Sequence, residues 1–151
     1  MIRQANPADE AAIRDCAEQA YRRYVPVIGR KPAPMVADFA AQIEAGHIHV
    51  AADGDSFQGF IVFFPKGDHV LLENVAVLPS AAGRGIGRSL IGFCEEQARR
   101  GGFTAVRLYT NEKMIENLTL YPRLGYAEVA RRTEDGFNRV YFEKTIGGPG
   151  A

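Results

Sequence analysis

Val75-Ala76-Val77-Leu78-Pro79-Ser80-Ala81-Ala82-Gly83-Arg84-Gly85-Ile86-Gly87-Arg88 runs from an apolar strand through a glycine loop into a helix. Three residues without side chains, Gly83, Gly85 and Gly87, let a ligand approach the backbone closely. The first N–H groups of the helix have no partner within it, and the helix dipole adds partial positive charge at the same point. Together these make a place for a phosphate or pyrophosphate, with Arg84 and Arg88 adding cationic charge beside it. A tight turn with no ligand is the competing reading. It is disfavoured because each glycine costs a helix about 1 kcal/mol relative to alanine. The dinucleotide fingerprint G-x-G-x-x-G fails here, since Arg88 and Leu90 stand where its last glycine belongs. The nucleotide P-loop fails too, for the chain has no Gly-Lys-Ser/Thr.

Upstream of this segment, residues 70–78 read as an apolar strand. Residues 57–65 read as a strand apolar on both faces, hence central. Residues 47–53 pair with it across Asp53-Gly54-Asp55, and Lys66-Gly67-Asp68 marks another turn. A short first strand at 2–5 leads into Asn6-Pro7-Ala8-Asp9-Glu10, which carries a cap, a first-turn proline and acids. Ile13, Cys16, Ala17, Ala20, Tyr21 and Tyr24 then recur at helical spacing. Pro26, Gly29, Pro32 and Pro34 break the pattern. A second helix follows with Val36, Phe39, Ala40 and Ile43 on one face, closed by Gly46.

Downstream, the long helix turns Ile86, Leu90, Phe93, Cys94 and Ala98 inward and Arg88, Glu95, Glu96, Arg99 and Arg100 outward. Residues 104–110 predict a strand. Residues 112–123 predict a helix burying Ile115 and Leu118, with Leu120 a further candidate. Residues 126–131 and 137–143 pair across Asp135-Gly136. The order β-α-α-β-β-β-α-β-α-β-β predicts an α/β (α+β) domain over residues 1–145. It implies a mixed, mostly antiparallel sheet of about seven strands with helices on both faces. Residues 146–151 are expected to form a disordered tail.

Composition narrows the function classes. The chain has 151 residues, 46% hydrophobic and 24% charged, enough for one domain with its own core. Eighteen basic residues balance eighteen acidic ones, which argues against a nucleic-acid partner. Two cysteines, Cys16 and Cys94, are too few for a disulfide framework. No run approaches the length of a membrane span, and the first residues do not resemble a signal peptide. A cytoplasmic protein without a membrane partner is expected. His47 and His49 share a strand face but lack a third ligand cluster, so no metal is expected.

The loop fits the spacing Gln/Arg-x-x-Gly-x-Gly/Ala after a Val-x-Pro strand end, and there the chain resembles the GCN5-related N-acetyltransferase (GNAT) superfamily. Gly83-Arg84-Gly85-Ile86-Gly87 resembles the family's acetyl-CoA pyrophosphate loop, which Arg88 and Ser89 extend into the helix. Val75-Ala76-Val77 resembles the strand whose backbone pairs with the pantetheine arm. Leu120-Tyr121-Pro122-Arg123-Leu124-Gly125-Tyr126 resembles the family's Leu-Tyr-x-x-x-Gly-Phe helix end. Two positions depart from the pattern. Ala82 stands where Gln or Arg is usual, and Met114 stands where Asn is frequent, leaving Asn111 and Asn117 as candidates for the polar contact to pantetheine.

The resemblance implies direct transfer of an acetyl group from acetyl-CoA to an amine of a small molecule or peptide. Such transfer needs a neutral amine, an aligned thioester, a stabilised oxyanion and a proton for the departing thiolate. Tyr121 is the candidate acid, since a phenol near pKa 10 is protonated at pH 7. Glu73, within an apolar strand and on one face with Leu71, Val75 and Val77, is the candidate base, directly or through water. A structural pairing of Glu73 with His69 or an arginine competes with that role. Tyr24, Ile28, Arg30 and Met35, in a stretch rich in cations, aromatics and prolines, are candidates for the acceptor pocket wall. A non-catalytic acyl-CoA-binding or sensing module is the alternative. The C-terminal hairpin and the family's habits together point to a homodimer.

Overall fold

The computed structural model describes residues 1–147. Seven strands lie in one mixed sheet: β1 (Ile2–Gln4), β2 (Ile48–Asp53), β3 (Ser56–Lys66), β4 (His69–Val77), β5 (Ala105–Asn111), β6 (Ala127–Glu134) and β7 (Phe137–Thr145). Their order across the sheet is β1-β2-β3-β4-β5-β7-β6. β1 with β2, β2 with β3, β5 with β7 and β6 with β7 run antiparallel, and β4 with β5 runs parallel. The fold class expected from the sequence therefore holds. Two compact units divide the chain. One takes Met1–Phe63 and Glu73–Cys94; the other takes Phe64–Leu72 and the described residues from Glu95 onward.

In the first unit, the predicted helix start is built as expected. Asn6 Oδ1 accepts from the Ala8 N–H and Asp9 Oδ2 accepts from the Asn6 N–H, a reciprocal pair that closes a 3-10 turn, Pro7–Asp9. The turn runs into α1 (Glu10–Tyr21), whose stripe of Ile13, Cys16 and Ala17 is fully buried. The connection after α1, expected to be non-helical, is largely helical. It forms a 3-10 turn (Arg22–Tyr24), a short α2 (Val25–Ile28) ended by Gly29 at φ 93°, and a second 3-10 turn (Ala33–Met35). Pro26 does not break it, because a proline in a first helical turn removes an N–H that had no acceptor anyway.

α3 (Phe39–Glu44) is shorter than predicted. Asp38 caps it by accepting from the Ala41 N–H at 3.1 Å, which leaves Val36 outside the helix and 57% exposed. Phe39 and Ile43 carry the buried face, and Phe39 meets Phe60 of β3 edge-on at 5.7 Å. Three consecutive β3 residues, Phe60, Ile61 and Val62, are fully buried, as a strand covered on both faces requires.

In the second unit, Val70, Leu71 and Leu72 of β4 pair with Val106, Arg107 and Leu108 of β5. The β6–β7 hairpin turns through Asp135 (φ 54°) and Gly136 (φ 79°), the left-handed pair that matches strand twist. β6 is exposed along most of its length and bulged between Glu128 and Ala130. α5 (Ile115–Arg123) begins three residues later than predicted, because Asn111 folds residues 111–114 into a turn. Its C=O accepts from the Met114 N–H and its Oδ1 from the Lys113 N–H, both at 2.9 Å. The later start turns Met114 and Tyr121 inward and leaves Ile115, expected in the core, 67% exposed. Leu118 is half-buried and Leu120 exposed.

Glu95 on α4 (Ile86–Arg100), expected to face solvent, is also a correction. Its carboxylate accepts from Tyr126 Oη at 2.9 Å and from Lys144 Nζ at 3.0 Å. Ile146, placed in the expected tail, is buried and its N–H donates to the Thr104 C=O at 2.8 Å. Residues 148–151 of that tail lie outside the described residues.

Candidate functional site

β4 ends at Val77, and a 3-10 turn, Pro79–Ala81, carries the chain into the glycine loop. Gly83 (φ 81°) and Gly85 (φ 74°) adopt the left-handed backbone that side chains oppose. A Cβ built at either would have no atom within 4 Å, so the space beside both is open. Gly87 differs. Its φ is ordinary and a Cβ there would make only a 3.6 Å contact with Val77 Cγ2, so neither packing nor conformation asks for glycine. The first hydrogen bond of α4 runs from the Ser89 N–H to the Gly85 C=O at 3.0 Å. Ahead of it, the helix mouth presents the N–H groups of Ile86, Gly87 and Arg88. Arg84 and Arg88 are exposed, and Ala82 adds no charge. Open space, unbonded helix-terminus donors and two cations are what a pyrophosphate group needs, so the loop fits a ligand that carries one.

The strand leading to the loop is held by contacts that no sequence motif marks. Tyr21 Oη lies 2.7 Å from Asn74 Oδ1 and 2.9 Å from the Val75 carbonyl oxygen, and Asn74 Nδ2 donates to the Pro34 C=O at 3.0 Å. Asn74 is 4% exposed, so this buried polar side chain ties α1 and the α1–α3 connection to β4. A polar residue among Leu71, Leu72, Val75 and Ala76 was the available signal. On the other flank a Cβ at Gly59 would stand 2.6 Å from the Ala76 carbonyl oxygen, so β3 and β4 approach closely there. Ala76 is buried, and Val75 and Val77 are half-buried.

Glu73, one residue earlier, is half-buried rather than buried. Its Oε2 accepts from Gln42 Nε2 of α3 at 3.2 Å. The partner considered from sequence, His69, instead contacts Asp68 at 3.1 Å. Of the acceptor-pocket candidates in this unit, Tyr24, Ile28 and Met35 lie on the helical turns after α1 and Arg30 lies in the bend between two of them. Tyr24 and Met35 are buried, Ile28 is half-buried and Arg30 is exposed. Arg23 stacks its guanidinium over the Tyr24 ring at 4.8 Å and donates to the Tyr24 hydroxyl at 2.7 Å.

His49 stacks on Phe63 at 5.3 Å and leans on Phe93 at 4.8 Å; burial holds its pKa below the ordinary imidazole value. Among the described residues, no cluster of three His, Cys, Asp or Glu side chains could hold a metal. Cys16 and Cys94 are buried and form no disulfide among the described residues, and burial pushes the Cys16 thiol up to about 12, which removes its thiolate at neutral pH.

In the second unit Tyr121 is buried against Tyr126 and Phe142, with both ring centroids 5.9 Å away. Burial raises its pKa well above the ordinary phenol, so the hydroxyl keeps its proton throughout the physiological range. Among the described residues none accepts a hydrogen bond from Tyr121 Oη. Asn111 spends its side-chain oxygen on the turn before α5, and Asn117 Nδ2 donates to Thr110 Oγ1 at 3.1 Å. Asn117 thus keeps its own Oδ1 outside these bonds, whereas Asn111 Oδ1 is committed. Met114, at the departing position, packs its sulfur 3.6 Å from Thr110 Oγ1.

Comparison with known proteins places the chain in a family. The model of the acetyltransferase (GNAT) family matches residues 11–126. An uncharacterized N-acetyltransferase, YvbK of Bacillus subtilis, is 28% identical over 102 residues, covering 67% of this chain and 65% of that protein. The chain thus spans less than two thirds of the length of that relative. Among solved structures, the PaiA N-acetyltransferase of Thermoplasma acidophilum in complex with coenzyme A is similar with a TM-score of 0.78 at 15% identity. That likeness covers 97% of this chain and 98% of the other. The ribosomal-protein-S18-alanine N-acetyltransferase of Escherichia coli gives 0.77 at 19% identity, covering 100% and 97%. At such identities the two structures speak for the fold alone.

Proposed function

The chain belongs to the acetyltransferase (GNAT) family, and on that premise we propose that it moves an acetyl group from acetyl-CoA to a primary amine of a small molecule or peptide. The glycine loop carries the reading. Two left-handed glycines with open space beside them lead into a helix mouth with free N–H donors and two exposed arginines. Gly83–Arg88 and Ser89 hold the pyrophosphate in this proposal, the backbone of Val75–Val77 holds the pantetheine arm, and Asn117 supplies a further polar contact. Of the two asparagines, Asn117 is preferred because the oxygen of Asn111 is already bonded.

Bound acetyl-CoA supplies the acetyl group as a thioester and departs as a thiol. Glu73 takes a proton from the acceptor ammonium, directly or through water, which frees the nitrogen lone pair for attack. Tyr121, kept protonated by burial, gives its Oη proton to the departing sulfur as the C–S bond breaks. It regains one from the nitrogen of the new amide, which must shed its extra proton in the same step. Tyr24, Ile28, Arg30 and Met35 line the acceptor's approach, and Arg30, exposed and cationic, suits an acceptor with an anionic group near its amine. The reaction belongs to the cytoplasm in this reading, in keeping with two cysteines that form no disulfide among the described residues. Any homodimer would use exposed apolar side chains such as Ile115, Leu120 and Val129, because bulged, charged β6 is a poor template for another strand.

Thiol release from acetyl-CoA, followed spectrophotometrically over polyamines, aminoglycosides, amino acids and N-terminal peptides, tests the proposal. Turnover with at least one amine is expected. Saturable acetyl-CoA binding without turnover on any amine would overturn the enzyme reading in favour of a sensing module. The missing cation at Ala82 makes that the second reading.

A further inference from the structure

The geometry points to Gln42 as a positioning residue for Glu73, an inference that rests on the proposed role of Glu73 and names what sets its carboxylate. Gln42 sits on α3, between the core residues Phe39 and Ile43. The edge-on contact of Phe39 with Phe60 fixes α3 against β3, and the Gln42 C=O accepts from the His47 N–H at 3.0 Å. From that anchored helix Gln42 Nε2 donates to Glu73 Oε2 at 3.2 Å, across a sequence separation of 31 residues.

The other half of the amide is what makes the contact informative. Gln42 Oε1 is buried and has no hydrogen-bond partner among the described residues. A buried carbonyl oxygen without a donor is destabilising, and native structures keep few of them. An apolar side chain of the same length would remove that cost and pack at the same place with the same helix propensity. The single hydrogen bond that glutamine gains here goes to a half-buried carboxylate that water could solvate in part. Stability therefore does not favour glutamine at position 42; orientation of the Glu73 carboxylate does. With one oxygen held by Gln42, Glu73 Oε1 is the atom left to receive the acceptor's proton. Local rules broken where a reacting group must be held are the pattern expected of functional sites.

The test is a double-mutant cycle with thermal melts. Wild type, Gln42→Met, Glu73→Gln and the double variant are assayed for thiol release, using acetyl-CoA and whichever amine of the panel wild type turns over fastest. Gln42→Met is expected to lower kcat by roughly tenfold to a hundredfold, the scale of a misaligned catalytic group, with KM for acetyl-CoA unchanged. In the Glu73→Gln background the same substitution is expected to change kcat less than twofold, because its effect passes through the carboxylate. The melting temperature of Gln42→Met is expected to stay level or rise by about 2–4 °C. Independent effects of the two substitutions on kcat, or a melting temperature that falls in step with kcat, would overturn the role of Gln42 while leaving the acetyltransferase proposal standing. Absence of turnover by wild type on every amine would overturn both.

Discussion

Gly87→Ala and Gly87→Leu together separate what the fold asks of the glycine loop from what a ligand asks of it. A Cβ at position 87 would meet only Val77 Cγ2, at 3.6 Å, an ordinary van der Waals contact, and the backbone there is not left-handed. In the first turn of α4 alanine should outperform glycine by about 0.5–1 kcal/mol, because it loses less backbone entropy on folding. For a chain of this size that corresponds to a rise in melting temperature of roughly 1–4 °C without ligand. The loop's motif accepts alanine at this position, so the ligand's need for space is tested by Gly87→Leu. Its longer side chain stands where a phosphate must approach the N–H groups, while leucine keeps a better helix propensity than glycine. Losing one hydrogen bond to a charged group costs about 1.5–3 kcal/mol, or roughly 10- to 150-fold in affinity. Titration calorimetry with acetyl-CoA and ligand-free melts measure the two quantities separately. Gly59→Ala is the control with reversed logic. Its Cβ would press to 2.6 Å on the Ala76 carbonyl oxygen, so stability should fall by about 1–3 kcal/mol. Acetyl-CoA affinity within twofold of wild type in Gly87→Leu would refute the pyrophosphate reading of the loop.

Two further outcomes are expected. Tyr121→Phe removes a hydroxyl that no described residue accepts from, so stability should change by less than about 0.5 kcal/mol while kcat falls by roughly 10²-fold or more; a kcat within twofold of wild type would remove Tyr121 from the mechanism. His49, whose folded pKa burial depresses, binds its proton more weakly folded than unfolded. Its contribution to stability is therefore complete above the unfolded value of about 6.5 and lost as pH falls below it. His49→Phe should flatten the decline in melting temperature between pH 7 and pH 5, and an unchanged slope would assign that decline to other groups.

Turns and the loop were legible in the sequence because their chemistry is local. Gly54, Gly67 and Asp135-Gly136 sit where the backbone goes left-handed, and few residues tolerate that. The buried stripe of α4 was legible from spacing alone, with Leu90, Cys94 and Ala98 in the core as expected. The sequence misleads where a distant residue decides, or where the exact position within a turn does. Nothing near Glu95 announces that Tyr126 and Lys144 close on it. The phase of α5 was misjudged because the Asn111 side chain delays its start and so rotates its buried face. Pro26 looks like a breaker in sequence but sits in the first turn of α2, because a proline's effect depends on where in a helical turn it falls. At the candidate site, the strand-to-helix glycine loop and the Leu-Tyr helix end stood out as motifs. The ties that set β4, from Tyr21 to Asn74 and from Gln42 to Glu73, join residues 53 and 31 apart and carry no local signature.

The borders of the sheet bear on how this protein behaves when concentrated. One border is β1, three residues long. The other is β6, where a bulge between Glu128 and Ala130 interrupts the ladder and Glu128, Arg131, Arg132 and Glu134 crowd the strand with charge. Fibril growth needs a straight row of unpaired amides to template each incoming segment, and neither border offers one. The native fold can therefore be held at the concentrations that crystallisation or calorimetry demand without seeding ladder-type aggregates. Aggregation at high temperature would then report unfolding itself rather than addition of strands to an intact sheet.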